Sequence, residues 1–398
     1  MTTRSALAPR TAVPSALLVV GVLVVAANLR ASITVVGPLI SDIRADLGLS
    51  DAMAGVLVAI PLLAFAVVSP VAPAIARRFG VERSLAGALL VLAVALVVRS
   101  LPFAAALWGG TMLLGAAIAV LNVVLPALVK RDHTAHVGRI TGFYSAVQSG
   151  VAAVAAGLAV PIASATAAGW RLALGVWALL ALVGWVVLAA VYRGREPHRP
   201  VVVVNPRPAR SPWTTAVGWQ VTLFMGLQSV SFFVLVTWWP SVERSAGVPA
   251  ATAGWHLSVF QALGVVGSLS CGAVLRRGGH ERSAASVAAL LILAGILGQL
   301  AEPTASLLWI VLTGLGCGAS IVLALSLFGI RARDTAEAAA LSGMGQSIGY
   351  LLAAAGPPLF GVLHDGSGGW VLPLLGLAVV VVLQLVAGVV AGRTPSTS

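Results

Sequence analysis

The chain has 398 residues, of which 59% are hydrophobic and 9% charged, and its formal net charge is +12. A soluble domain carries about 25% charged residues, so this chain cannot clothe a surface in water and must take lipid as its main solvent. Nucleic-acid binding is not expected despite the net charge, because no basic stripe with interleaved aromatics lies outside the apolar segments.

A spanning helix needs about 20 mostly apolar residues. After a short N-terminal tail over 1–13, the first such segment covers 14–39 and carries Asn28 and Arg30. It is too long for a signal-peptide core and no small-residue cleavage site closes it, so it reads as a retained membrane helix. Five more segments follow at 51–76, 84–101, 104–129, 139–163 and 170–192, giving a first six-helix unit over 14–192. A polar linker covers 193–213, where RGREPHRPVVVVNPRPARSP holds five Arg and five Pro. Its VVVV is either a brief strand or irregular. A second unit over 214–392 contains segments at 214–240, 250–275, 283–301, 304–330, 336–362 and 370–392, and a tail occupies 393–398. Trp238 and Trp239 are expected to end the seventh helix before Pro240, as an interfacial aromatic belt or an outer gate. Gly356–Pro357–Pro358 is expected to kink the eleventh helix near its outer end. Cys271 and Cys317 both lie in apolar runs and no CxxC or His/Cys cluster exists, so neither a disulfide framework nor a metal site is expected.

Arginine sets the orientation. With both termini in the cytoplasm, 19 of the 24 basic residues fall in cytoplasmic loops and tails, and four fall outside: Arg44, Arg99, Arg171 and Arg244. Arg30 accounts for the remaining one. The opposite orientation reverses that ratio, so the positive-inside rule favours cytoplasmic termini.

RRFGVERS at 77–84 recurs as RRGGHERS at 276–283, with six of eight positions identical at an offset of 199 residues. Over 48–84 against 247–283 the identities are 13 in 37, including Gly48 with Gly247 and Gly55 with Gly254. The chain is therefore a duplicated six-helix unit. An even number of helices per unit makes the repeats parallel, about an axis along the membrane normal. The expected fold is an all-α membrane protein of 12 transmembrane helices in two pseudo-symmetric six-helix bundles.

On this pattern the sequence resembles the major facilitator superfamily. RRFGVERS is similar to the superfamily's signature loop between helices 2 and 3, and departs from it where Ala76 replaces the expected Asp. Arg77, Arg78, Gly80 and Arg83, with Arg276, Arg277, Gly279 and Arg282, are then the conformational loops. Ordered stretches narrow the resemblance to the cyanate and nitroimidazole permease branch. They include NLRASITVVGPL at 28–39, LNVVLPALVKRD at 121–132, TGFYSAVQSG at 141–150, LQSVSFFVLVTWWP at 227–240 and LSGMGQSIGYLLAAAGPPLFGVLHD at 341–365. The resemblance implies a transporter of small anionic or polar molecules (cyanate-, nitrite- or nitroimidazole-like). One Lys against 23 Arg, with abundant Ala, Val and Gly, points to a GC-rich bacterial genome, so a cofactor-free monomer in a bacterial inner membrane is expected. Multidrug or metabolite efflux on the same fold is the alternative.

Arg30 is the most informative residue. A mid-bilayer arginine costs roughly 2.5–3.5 kcal/mol on insertion scales, and the twelve acidic residues all fall in loops or at helix ends. Two readings stand: a substrate-facing cation in the central cavity, or a structural arginine bonded to helix-end carbonyls. In the superfamily arrangement helices 1, 4, 7 and 10 line the cavity, with 2, 5, 8 and 11 alongside. Asn28 lies about 200° around the helix from Arg30, so one faces the cavity and the other a neighbouring helix. Asn122, Trp239 and Gln261 are further candidates. Tyr144 and Gln148 share a face of helix 5, and Gln346 and Tyr350 a face of helix 11; such polar stripes also serve as interhelical glue. The 199-residue offset maps Arg30 onto Ser229, beside Gln228, so an amide stands near the mirror position of the charge. Protons are the candidate coupling ion, yet no intramembrane Asp or Glu is evident. That leaves the substrate's own proton, His256, or uniport and exchange. No nucleophile–base or metal constellation appears, so no enzymatic activity is expected.

Overall fold

The computed structural model describes residues 15–132, 137–193, 211–333 and 335–392. Twelve helical runs in it are long and apolar enough to cross a membrane. Helices suit that solvent because each satisfies its own backbone groups where no water is available. The first bundle comprises α1 (Ser15–Ala27), α2 (Ala31–Thr34), α3 (Val36–Leu47), α4 (Asp51–Val68), α5 (Ala72–Phe79), α6 (Val81–Val98), α7 (Ala104–Asp132), α8 (Val137–Ser164), α9 (Trp170–Gly175) and α10 (Trp177–Val191). The second comprises α11 (Ala216–Ser245), α12 (Ala250–Leu275), α13 (Glu281–Ala301), α14 (Ser306–Ile330), α15 (Thr335–Ser367) and α16 (Val371–Ala391). Most of the 193–213 linker, with its VVVV, lies outside the described residues, as do both tails.

The duplication has a backbone cause. Gly48 after α3 and Gly247 after α11 stand 199 residues apart, with φ of +62° and +88°. Gly80 before α6 and Gly279 before α13 form a second such pair, at +88° and +71°. A side chain is strained at these angles, so both copies of each turn hold glycine. The octapeptide glutamates, Glu82 and Glu281, are both buried in the first turn of their helices, where the helix dipole favours a negative charge. Glu82 pairs with Arg131 of α7. The adjacent Asp132 accepts from the Tyr192 hydroxyl at 2.6 Å. In the first bundle the repeated loop thus fastens α6 to α7.

Three helix boundaries differ from those read in the sequence. The first crossing is not one helix: it is unwound at Asn28–Arg30, interrupted again at Val35, and continues to Leu47. The Asn28 amide donates to the Val24 carbonyl at 2.9 Å and to the Leu180 carbonyl of α10 at 3.4 Å, a side-chain competition for backbone partners that favours a break. In the second bundle α11 does not stop before Pro240 but runs through it to Ser245. Pro240 has no N–H to give the Val236 carbonyl, and Gly37 of α3 packs directly on that oxygen, where a Cβ would collide. Helix α15 likewise continues through Pro357 and Pro358 to Ser367. Trp238 and Trp239 therefore lie inside a helix and inside the core, forming neither a belt nor a rim. The Trp238 indole N–H donates to the Pro357 carbonyl at 3.0 Å.

The two ends of the molecule are built differently. At the end with few arginines the bundles are sealed. Gly37 meets Val236, Gly55 meets Pro357 and Gly361 meets Asp51, each so closely that a Cβ would overlap a backbone oxygen. Polar contacts cross the same seam: Ser41 with Ser241 at 3.3 Å, Arg244 with Asp42 at 3.2 Å, and Ser258 to the Ala153 carbonyl at 2.6 Å. Asp365 accepts from the Asp51 and Ala52 amides at 3.1 and 2.9 Å, so a carboxylate of α15 caps α4 across the seam. The arginine-rich end instead opens into a vestibule of about 560 Å³, lined by Phe65, Ser69, Trp213, Ser342, Gln346 and Tyr350 among others.

Candidate functional site

A cavity of about 70 Å³ lies between the bundles, and Arg30 lines it. The break at Asn28–Arg30 puts Arg30 at the N-cap of the four-residue α2, with φ −126° and ψ −29°. Its guanidinium lies over the Phe232 ring at 5.3 Å, a cation–π contact, and beside Tyr350. Among the described residues no carboxylate lines the cavity, and no ion pair to Arg30 is present.

The second bundle supplies the facing wall. Gln228 and Ser229 stand opposite, as the 199-residue offset anticipates. The Gln228 amide donates to the Ser229 hydroxyl at 2.7 Å, and that hydroxyl donates to the Met225 carbonyl at 2.8 Å. Gln261 of α12 is 4% exposed and its Nε2 has no hydrogen-bond partner among the described residues. A buried donor without a partner costs roughly 1–3 kcal/mol, so this amide is poised for an acceptor that enters the cavity. Phe233, Phe260, Gly314, Cys317 and Gly318 complete much of the wall. The glycines are there because α12 and α14 touch: a Cβ on Gly318 would overlap the Gly264 carbonyl, and one on Gly314 the Phe260 carbonyl. A water needs about 10–15 Å³ of such space, so the cavity holds a handful of waters or one small solute.

Of the residues singled out in the sequence, Arg30, Gln228, Gln261 and Tyr350 come together here. Asn28 is turned to α10. Asn122 is exposed on α7 and bonds back to the Ile118 carbonyl at 3.1 Å. Tyr144 packs against the first bundle's core. Gln148 is outside the lining, although its neighbour Ser149 is within it. Gln346 bonds Ser342 at 2.8 Å in the vestibule. Trp239 is buried beside Glu243. Tyr350 belongs to both spaces, with its ring edge-on to Phe65 at 5.6 Å. The Tyr350–Phe65 pair therefore stands between vestibule and cavity. The phenylalanines were invisible to the sequence reading because an apolar residue on a membrane helix has no signature that separates cavity from lipid.

The expectation that no carboxylate lies within the bundle fails at the sealed end. Glu243, near the end of α11, is 0% exposed. Its Oε1 accepts from Ser306 and contacts His256 Nδ1 at 2.7 Å. Asp51 is also buried, held by Arg44 and by His364 Nδ1 at 2.8 Å. Among the described residues, Asp51, His364 and Asp365 are the one group with metal-ligand spacing. Arg44 and two backbone amides already occupy their oxygens, so the cluster works as a latch between bundles. Glu243 and Asp51 were hidden because each sits at a helix end, where sequence reading assigns solvent.

The family model of the Major Facilitator Superfamily matches residues 22–354. The chain is 39% identical over 379 residues to a 2-nitroimidazole transporter of Escherichia coli (strain K12), covering 94% of this chain and 95% of the relative. It is 27% identical over 354 residues to the cyanate transport protein CynX of the same organism, covering 87% and 89%. Among solved structures, an inward-facing, unoccupied bacterial homolog of the human lysosomal transporter Spinster superposes with a TM-score of 0.77 at 15% identity, covering 97% of this chain and all of that one. That likeness shows the fold alone.

Proposed function

Because the chain belongs to the Major Facilitator Superfamily, and is thus a multi-pass membrane transporter of small molecules, we propose that its substrate is a small anion or a small, planar, electron-rich molecule. Cyanate, nitrite and nitroimidazoles are the chemical models. The observation that carries this reading is Arg30 in a cavity of about 70 Å³ with no carboxylate among the described residues that line it. An uncompensated guanidinium in a low-dielectric hollow is a strong attractor for negative charge. Phe232 lies against the guanidinium on one side, a cation–π contact. Gln261 supplies a second, neutral donor. A single charge plus an amide suits one negative group and one polar edge, and the volume disfavours bulky drugs. The names of the two relatives, one for 2-nitroimidazole and one for cyanate, agree with that chemistry.

Transport proceeds by alternating access. The excess of loop arginines at the vestibule end supports a cytoplasmic side there and with it an inward-facing conformation, the seal of glycines and the Asp51–Asp365 latch lying on the outer side. Tyr350 and Phe65 form the thin inner barrier. The carrier works as a monomer. A thermal-shift screen of the purified protein against cyanate, nitrite, 2-nitroimidazole and small carboxylates tests the class, since a bound ligand raises the melting temperature. A hit is expected among these compounds for the wild type, weakened in Arg30→Lys and lost in Arg30→Ala. Equal responses in wild type and Arg30→Ala would remove Arg30 from the site.

A further inference from the structure

Gln228 of α11 lines the Arg30 cavity and is 2% exposed. Its amide is held in one orientation. The Nε2 hydrogens go to the Ser229 hydroxyl at 2.7 Å and to the Met225 carbonyl at 3.2 Å, with the Met225 sulfur at 3.4 Å. A carbonyl oxygen only accepts, so the end of the amide that faces Met225 is the nitrogen. The amide oxygen, Oε1, is the other end. It has no hydrogen-bond partner among the described residues, yet it is not one of the fully enclosed polar atoms left unpartnered there. Oε1 therefore keeps open surface, and the open space that Gln228 lines is the Arg30 cavity.

We propose that Gln228 is a specificity residue whose Oε1 accepts a hydrogen from the transported molecule, so that the carrier selects solutes that pair an electron-rich edge with an N–H or O–H over bare anions. The role depends on the Arg30 site described above and narrows what that site takes. Arg30 can only donate, and the hydroxyls of Ser149 and Tyr350 can turn to either role. The Ser229 hydroxyl is engaged on both sides, and Ser268 donates to the Gly318 carbonyl at 2.9 Å. Gln261 is not held at its amide nitrogen. Gln228 is thus the lining side chain whose acceptor is fixed in place. A ligand without a hydrogen to give leaves that oxygen unpaired once water is displaced, which is costly. A bare anion is also repelled by the negative end of the amide dipole. A site built to hydrogen-bond an N–H or O–H rejects an analogue lacking it far more strongly than an apolar pocket rejects a missing methylene. A nitro-substituted azole has both features, nitro oxygens for Arg30 and a ring N–H for Gln228.

The test titrates the full-length protein in detergent with 2-nitroimidazole, 1-methyl-2-nitroimidazole, 2-nitrofuran and nitrite, by calorimetry at a mildly acidic pH where the azole keeps its N–H. The methyl compound blocks the N–H, and the furan lacks it without added bulk. The wild type is expected to bind 2-nitroimidazole about tenfold or more tightly than either analogue. Folded Gln228→Leu should bind the three rings alike, with an affinity for nitrite equal to or above that of the wild type. Equal affinities for the three rings in the wild type overturn the proposal. A preference that survives in Gln228→Leu also overturns it, because a merely structural glutamine would weaken every ring together and leave the ratio in place. Should Gln228→Leu not fold, Gln228→Met, of similar length and without the oxygen, takes its place. Binding of nitrite with none of the three rings overturns this selectivity and spares the Arg30 site, whereas no binding by any of the four compounds overturns both.

Discussion

Arg30 and Arg99 meet the short α2 of the first membrane crossing, one as its N-cap and the other through the Ser32 carbonyl; they carry the same charge and have different surroundings. Arg30 caps the short α2 and turns into a cavity, over the Phe232 ring, with no carboxylate beside it. Arg99 caps the end of α6 and is locked in a seam, bonded to the Ser32 carbonyl that lies between the two breaks. The difference lies in what each arginine can reach: the first lines a cavity of about 70 Å³ that a small molecule can enter, whereas the second is enclosed by packed side chains with about 10 Å³ beside it. A break in a membrane helix exposes polar backbone that must be satisfied. Here Arg99 meets that need at the Ser32 carbonyl, while Arg30 lines the cavity.

The sharpest way to break this comparison is to remove each charge in turn. Arg30→Gln should weaken substrate binding by about 10- to 100-fold, the worth of one charged hydrogen bond, while melting changes little; equilibrium binding of 2-nitroimidazole or cyanate checks it. Arg99→Met should do the reverse, lowering stability by about 2 kcal/mol through the lost bond to Ser32 and poorer packing, with affinity per folded molecule nearly unchanged. Thermal melting beside calorimetric binding separates the two. Next in size is the seal. Gly37→Val places a side chain on the Val236 carbonyl and should shift the population away from the inward-facing state, read as faster labelling of Ser41→Cys from the outer side. A smaller effect is expected from Gln261→Leu, which removes the neutral donor and should cost about 1 kcal/mol, near fivefold in affinity. The smallest is Tyr350→Phe: it keeps the ring against Phe65 and should leave binding within about twofold.

Much of the architecture was legible because lipid imposes a strong rule on sequence. Twelve apolar runs, an arginine bias among loops and a 199-residue repeat each leave a pattern that needs no partner to be seen. The octapeptide repeat was readable as a duplication, and its cause became visible in the backbone: glycines at positive φ and buried first-turn glutamates. The site was legible only where polarity contradicted depth. Arg30 and Gln261 are such contradictions, and both line the cavity. Phe232, Phe233 and Phe260 are not, so nothing set them apart from lipid-facing residues. Asn28 contradicts its depth as well, yet it serves the helix break; polarity marks a constraint without saying which. Arg99, Asp51 and Glu243 failed in the other direction. Each stands at a helix end, where hydropathy expects water, and tertiary packing buries them. Proline was the remaining source of error, because Pro240 and Pro357 would break helices in water but are tolerated inside a packed membrane bundle.

The central claim is that the charge of Arg30 recognises the transported molecule. Counterflow of labelled 2-nitroimidazole and of cyanate in vesicles reconstituted with wild type, Arg30→Gln and Arg99→Met tests it most directly. Exchange by the wild type and by folded Arg99→Met, with exchange by folded Arg30→Gln reduced about tenfold or more at substrate concentrations below saturation, is the predicted result. Exchange through Arg30→Gln at the wild-type rate would contradict it.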